Sequence, residues 1–426
     1  MRSNQPVTAA LVHKRGWRAT LDALTVRNYR WFWFGSLASY FAGNMQTPTQ
    51  AWLAYQITHS PLMLGVVSAA QGVPQFLTNF VSGAVIDRIQ KRDVIIVCQS
   101  AQVANTLAMA ALIATGHIQY WNLLVSSFIA GVISGFNMPA RNTIAPELVG
   151  KERTYNAIAL NNAGSNIARV AGPAIAGVLI GFMGTQSAYY VGVGFNIVGV
   201  ATMSFLPRTS KLGMTGKSLA SSVGDGFKYI RVQYLILFVL IMEAALTAFG
   251  MWYQGLIPVF ASLVGTGSIG YGLMMSAVGV GALVGSLSVA SLGNFRRKGL
   301  FMITMGAVFG IALVLFGRAP ALGALIHLKT NTYYLAAFLL VIVGLCSTAY
   351  TTTSLTAIQM LSAEEYRGRV TSVYQMMPAL YQICVFLSGA AAQEVGAPLT
   401  VTVGGACLTT FMLSMGIFNK RVRHME

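Results

Sequence analysis

Eleven Asp and Glu residues occur in the chain, and Glu243 is the one set deep inside an apolar run, as the tenth residue counted from Tyr234. In a helix rising 1.5 Å per residue it lies about 13–14 Å from that start, and a charge at such depth in a bilayer costs on the order of 3 kcal/mol. A helix would align Glu243 with Thr247, Gly250 and Gln254 on one face. Two readings follow: a proton-titrating or substrate-contacting carboxylate that faces a cavity, or a structural glutamate bonded to a neighbouring helix.

Arg169 is the basic counterpart. Asn162, Asn166, Arg169 and Pro173 step by four, three and four along another apolar run. Helical periodicity makes them one polar stripe. The guanidinium can receive an anionic group, pair with Glu243, or tie down carbonyls freed by Pro173. Further stripes join Tyr40, Asn44 and Thr47; Gln71, Gln75 and Asn79; and Tyr374, Pro378 and Tyr381, flanked by Gln375 and Gln382. In lipid such faces must turn toward protein or water. A lone amide is more often interhelical glue than a ligand contact, but together these residues describe a cavity of amides, hydroxyls and aromatics with little charge. Trp252, Tyr253, Tyr350 and Tyr381 offer surfaces for an amphipathic or aromatic solute, or simple packing.

The elements that must position these groups are membrane spans. The 426 residues are 55% hydrophobic and only 9% charged, with a mean hydropathy of +0.63. Soluble domains carry roughly a quarter charged residues, so lipid must be the solvent here. Runs long enough to cross a bilayer lie near 31–57, 62–86, 94–115, 120–140, 157–183 and 186–206, then near 233–263, 268–292, 299–317, 333–358, 369–394 and 397–418. Between the two sets, 207–232 is polar, and Leu219, Val223, Phe227 and Ile230 predict a short amphipathic surface helix. The expected organisation is therefore a segment 1–27, a six-helix bundle 28–206, the linker, a second bundle 233–418 and a tail 419–426.

The formal charge of +17 does not point to nucleic acid, because Lys and Arg cluster after every second span, Arg141 being counted with Lys151 and Arg153 in one such loop. That spacing predicts both termini on the cytoplasmic face of a multi-pass inner membrane. No cleavable leader is evident in 1–27. Cys98, Cys346, Cys384 and Cys407 show no metal-ligand spacing, and the five His residues form no cluster. No phosphate-binding loop, nucleophile elbow or cofactor fingerprint is present, so neither an enzyme nor a cofactor is expected.

The loop Gly83-x-x-x-Asp87-Arg88-x-x-Lys91-Arg92 resembles the signature between helices 2 and 3 of the major facilitator superfamily, with Gln90 where Gly is usual. The resemblance implies that Gly83 lets helices 2 and 11 approach, and that Asp87, Arg88, Lys91 and Arg92 form a charge relay closing the cytoplasmic face. Gly172-Pro173-x-x-x-Gly177 resembles the bend motif of helix 5, associated mainly with exporters. The stretch Met138-Pro-Ala-Arg-Asn through Pro173, with Tyr366-Arg-Gly-Arg-Val370, is similar to the branch of enterobactin exporters and macrolide-efflux proteins. The fourth span, read as ending near residue 140, lacks the intramembrane arginine of many drug–proton antiporters.

These resemblances imply an all-α membrane protein of twelve helices in two pseudo-symmetric bundles. Its expected function is alternating-access, proton-coupled export of a siderophore-like metabolite or a drug, by a monomer whose partners are the solute, protons and the bilayer. Import of a nutrient is the rival within the fold, and a non-transporting membrane receptor is the rival outside it.

Overall fold

The computed structural model describes residues 22–86, 89–150, 153–207, 229–293, 295–325, 329–374, 377–423 and 425. The regular secondary structure of those residues is all helical. In lipid an unpaired backbone amide is too costly to leave, and a helix satisfies its own. The first set comprises α1 (Arg27–Thr58), α2 (Pro61–Ile86), α3 (Lys91–Ala114), α4 (Tyr120–Val149), α5 (Thr154–Met183) and α6 (Thr185–Ser204). The second comprises α7 (Tyr234–Phe249), α8 (Ile257–Val264), α9 (Gly267–Leu292), α10 (Lys298–Leu325), α11 (Lys329–Leu361), α12 (Glu364–Tyr374), α13 (Met377–Val395) and α14 (Ala397–Phe418). Taking α7 with α8, and α12 with α13, as one span each gives six per half. Among the described residues, eight helices or helix pairs are long and apolar enough to cross a membrane by length and composition alone. The polar cavity-facing stripe of α1 explains why it falls short of that measure despite its 32 residues.

Packing repeats between the halves. In the first, α2 packs on α4 and α3 on α6; in the second, α9 packs on α11 and α10 on α14. Renumbering each span by six turns the first set of contacts into the second. The halves meet through α2 on α13 and α5 on α9, which the same exchange converts into each other. The small residues at these seams have a plain purpose. A Cβ on Gly272 would stand 2.5 Å from the Pro173 carbonyl oxygen, and one on Gly65 would stand 2.8 Å from Phe386 Cα. Backbone meets backbone there, so only glycine fits.

Contacts joining the halves include several at the end away from the interdomain linker. Ser60 Oγ donates to Gln393 Oε1 at 2.7 Å, Trp52 stacks on Tyr271 at 5.5 Å, and Gly181 faces Ile269. At the linker end, Tyr229 stacks on Tyr366 at 4.3 Å and accepts a hydrogen bond from the Ala363 amide. Ile230 is buried, whereas Leu219, Val223 and Phe227 lie outside the described residues. Asp22 pairs with Arg153, and Asn156 accepts from the Ala23 amide, pinning the turn that precedes α1 to the start of α5.

Two elements differ from the expectation. α4 does not end near residue 140 but continues through Pro139 and Pro146 to Val149, so Arg141 is an intrahelical residue, 7% exposed, and not part of a solvated loop. The seventh span is not one helix: α7 stops at Gly250, where a Cβ would meet the Phe309 ring at 2.3 Å, and residues Met251–Leu256 form a 3-10 turn before α8.

Candidate functional site

A cavity of about 680 Å³ lies between the halves. Arg169, at the midpoint of α5, projects into it with its side chain accessible. Pro173, Asn44 and Gln254 line it too. The two walls differ. α1 to α6 contribute amides, among them Asn44, Gln46, Gln71, Gln102 and Asn137, whereas α7 to α11 contribute Met251, Met275, Val278 and the hydroxyls of Ser347, Thr348 and Thr351. The amide wall is held by its own bonds. Gln102 Nε2 donates to Gln46 Oε1 at 2.8 Å, and Gln99 Nε2 donates to Ser39 Oγ at 2.7 Å. Gln50 Nε2 donates to Ser127 Oγ at 2.8 Å. Such cross-helix bonds fix the acceptors and donors that a ligand would meet.

The break at Gly250 decides which residues of the seventh span reach the cavity. Helical periodicity put Glu243 and Gln254 on one face, but the 3-10 turn rotates Met251 and Gln254 into the cavity while Trp252 and Tyr253 are buried. Trp252 Nε1 donates back to the Ala248 carbonyl at 2.8 Å, which closes that turn. Glu243 does not line the cavity. It is 4% exposed, and its Oε1 accepts from Tyr374 Oη of α12 at 3.3 Å. The hydroxyls of Tyr350 and Ser354 on α11 lie beside it. Those two hydroxyls and Glu243 Oε2 make no hydrogen bond among the described residues. A carboxylate ringed by three hydroxyls is able to hold a proton and pass it on by rotation of those hydroxyls. The same α11 carries Ser347, Thr348 and Thr351 on the cavity side, so Glu243 sits directly behind that wall.

Arg169 and Glu243 are not an ion pair here. Among the described residues the ion pairs are Lys91–Glu147 and Arg153–Asp22. Arg169 faces Tyr253 instead, whose hydroxyl is 3.5 Å from Gln254 Nε2. The close approach of α9 fixes the Arg169 backbone, since a Cβ on Gly279 would lie 2.9 Å from its carbonyl oxygen.

Other expected cavity residues fall elsewhere. Gln71 lines the cavity and Gln75, one turn on, does not. Asn162 and Asn166 lie along α5 outside the lining. Tyr381, Tyr350 and Tyr374 also stand back from it. Gly172 packs on Asn44 of α1, and Gly177 on Gly272 of α9, so the bend motif seats α5 against both halves. Gly83 lies within α2; Asp87 and Arg88 lie outside the described residues. Lys91 Nζ bonds Glu147 Oε1, and Arg92 Nη2 donates to the Ser204 carbonyl at 2.6 Å. Both bonds brace α3 within its own half.

Sequence reading missed Gln46, Gln50, Gln99 and Gln102. Their signal was present as amides four apart on α1 and three apart on α3. It also missed Arg141, whose Nη2 donates to Ser39 Oγ at 3.0 Å and whose guanidinium lies 5.8 Å from the Tyr40 ring centroid.

Comparison with known proteins shows the family and agrees with the fold. The pattern of a family described as transmembrane secretion effectors matches residues 18–426. The staphyloferrin A transporter of Staphylococcus aureus is 23% identical over 87% of this chain and 91% of its own length. Macrolide efflux protein A of Streptococcus pyogenes is 22% identical over 80% of this chain and 83% of its own. The enterobactin exporter EntS of Escherichia coli O1:K1 is 22% identical over 75% of this chain and 74% of its own. Among solved structures, a mutant of the nucleoside transporter NupG superposes with a TM-score of 0.74 at 12% identity, covering 92% of this chain and 100% of that one. At that identity the likeness carries the fold alone.

Proposed function

We propose a working cycle for this chain, which belongs to the transmembrane secretion effector family of the major facilitator superfamily: it exports a small organic molecule by alternating access, driven by protons moving inward. The observation that carries this reading is one amide- and hydroxyl-lined cavity enclosed between two halves that repeat each other's packing. Two matched bundles that meet along α2–α13 and α5–α9 can rock about a central site without repacking internally. The bonds at the end away from the linker, Ser60 to Gln393 and Trp52 to Tyr271, hold the cavity closed on that side. With Lys and Arg concentrated on the linker side, that side is cytoplasmic, so this conformation receives solute from within the cell. Relatives whose names denote export of a siderophore and of macrolides favour the outward direction.

Glu243 is the residue that couples protons. As a carboxylate it is held by Tyr374 of α12, and it adjoins α11, which forms part of the cavity wall. Protonation removes a charge from a site of low dielectric and changes Glu243 from an acceptor into a donor. Its bond to α12 must then reorganise, and α12 leads into α13, the helix that contacts the other half. The test is purified protein in sealed vesicles with an imposed proton gradient, with a siderophore and a macrolide offered as alternative solutes. Movement of solute against the proton flow is expected, and Glu243→Gln should lose gradient-driven movement while exchange at equal pH persists. Gradient-driven movement at the parent rate in Glu243→Gln would remove the coupling role. Movement with the proton flow would reverse the assigned direction.

A further inference from the structure

We propose that the cavity selects an amphipathic organic anion, with a carboxylate-type group seated on Arg169 and the apolar body against the wall of the second half. This deepens the transporter reading above and rests on the cavity being the solute site. Three observations carry it. First, Arg169 is the one charged side chain among the described residues lining the cavity, is accessible there, and makes no hydrogen bond or ion pair with the described residues. A guanidinium offers five donors in a planar fork, and a carboxylate fills that fork with two parallel bonds.

Second, a further guanidinium stands one layer behind the same wall. Arg141 is buried on α4 and bonds neutral oxygens only, Ser39 Oγ at 3.0 Å and the Gly35 carbonyl at 3.5 Å, with Nε unpartnered. Ser39 and Gln99, which share its network, themselves line the cavity. Two positive charges therefore act on one space. Glu243 faces α12 behind the opposite wall and Glu147 of α4 is paired with Lys91, so neither neutralises them. In a low-dielectric cleft such charges add, attracting an anion and rejecting a cation. Third, the facing wall of Met251, Met275, Val278 and Ala282 suits an apolar or aromatic body. A bound anion thus relieves the repulsion between two guanidiniums, and the methionines adapt to the remainder.

The test uses three ligands of one shape: naphthalene-2-carboxylate, its neutral carboxamide, and the corresponding 2-naphthylmethylammonium. Binding to the full-length protein in lipid nanodiscs is measured by calorimetry with no gradient imposed. The carboxylate should bind roughly ten- to hundred-fold tighter than the amide, as a charge-assisted pair replaces a neutral contact, and the ammonium should bind weakest. Arg169→Gln should cut the carboxylate's advantage over the amide at least about fivefold, leaving only the remainder that Arg141 sustains, and Arg169→Lys should keep more of the preference. Equal or tighter binding of the amide or ammonium by the parent protein, or no binding of the carboxylate, overturns the proposal. So does a preference that is undiminished in Arg169→Gln. The parent series decides even if that variant does not fold. A chain that shows the anion preference but moves no solute in vesicles loses the transport reading alone; one that exports solutes yet prefers the ammonium loses only this inference.

Discussion

The seam between α5 and α9 gives the sharpest structural prediction. A methyl group placed on Gly272 by Gly272→Ala would lie 2.5 Å from the Pro173 carbonyl oxygen, 2.8 Å from Gly177 Cα and 3.1 Å from Gly177 N. All three are backbone atoms of α5, so no side chain can turn aside. Reaching ordinary contact near 3.4 Å requires the helices to part by about 0.9 Å, and overpacking of this kind costs roughly 1–3 kcal/mol. If the seam exists only while the end away from the linker is clasped, the whole penalty falls on that conformation. Its population relative to the alternative then drops about 5- to 150-fold. Spin labels at the exposed positions Met183 and Val395, one in each half at the clasped end, read the ratio as a short and a long interlabel distance. The long component should grow in Gly272→Ala. Gly43→Ala is the control, since a Cβ there meets nothing within 4 Å, and it should leave the distribution unchanged. Unaltered populations in Gly272→Ala, or an equal change in both variants, would refute the reasoning.

Two further substitutions test the buried charges. Arg141→Met replaces a guanidinium bonded only to neutral oxygens by an apolar side chain and leaves the Ser39–Gln99 bond in place. Its melting temperature should hold or rise, because an uncompensated buried charge costs several kcal/mol; a fall of several degrees would contradict this. Glu147→Gln strips the counter-charge from Lys91, whose side chain is 11% exposed, and should cost about 1–3 kcal/mol of stability. Thermal unfolding in nanodiscs measures it, and an unchanged midpoint would mean that the pair does not brace α3 to α4.

Much of this architecture was legible in the chain. Spans of adequate length, the polar linker and the alternation of basic loops are direct consequences of bilayer thickness and membrane charge, so their positions follow from composition alone. The Gly172–Gly177 motif was legible as a bend, but its partner was not: the structure seats Gly177 against Gly272 of α9. The site was only half legible. Arg169 and Asn44 reach the cavity, although Asn162 and Asn166 of the stripe that holds Arg169 do not. Glu243 does not, because periodicity assumes a continuous helix and the chain leaves α-geometry at Gly250. Arg141 was lost to the opposite error. The fourth span was read as ending near residue 140 and Arg141 was grouped with the basic loop beyond it, whereas the helix runs on to Val149. The glutamines of α1 and α3 were visible but indistinguishable from interhelical glue, and Gln46 and Gln102 are in fact both, bonded to each other and facing the cavity.

The alternation itself can be read without knowing the solute. Ser60→Cys with Gln393→Cys, joined by a short thiol crosslinker across their 2.7 Å contact, clamps the end away from the linker. A third substitution, Gln254→Cys, places a thiol in the cavity wall, and a membrane-impermeant maleimide is applied to oriented vesicles from either face. Labelling of that thiol only from the linker side while the clamp is closed, and from both sides once the clamp is omitted, is the predicted result. Labelling from the far side of the clamped protein would contradict a carrier that opens to one side at a time.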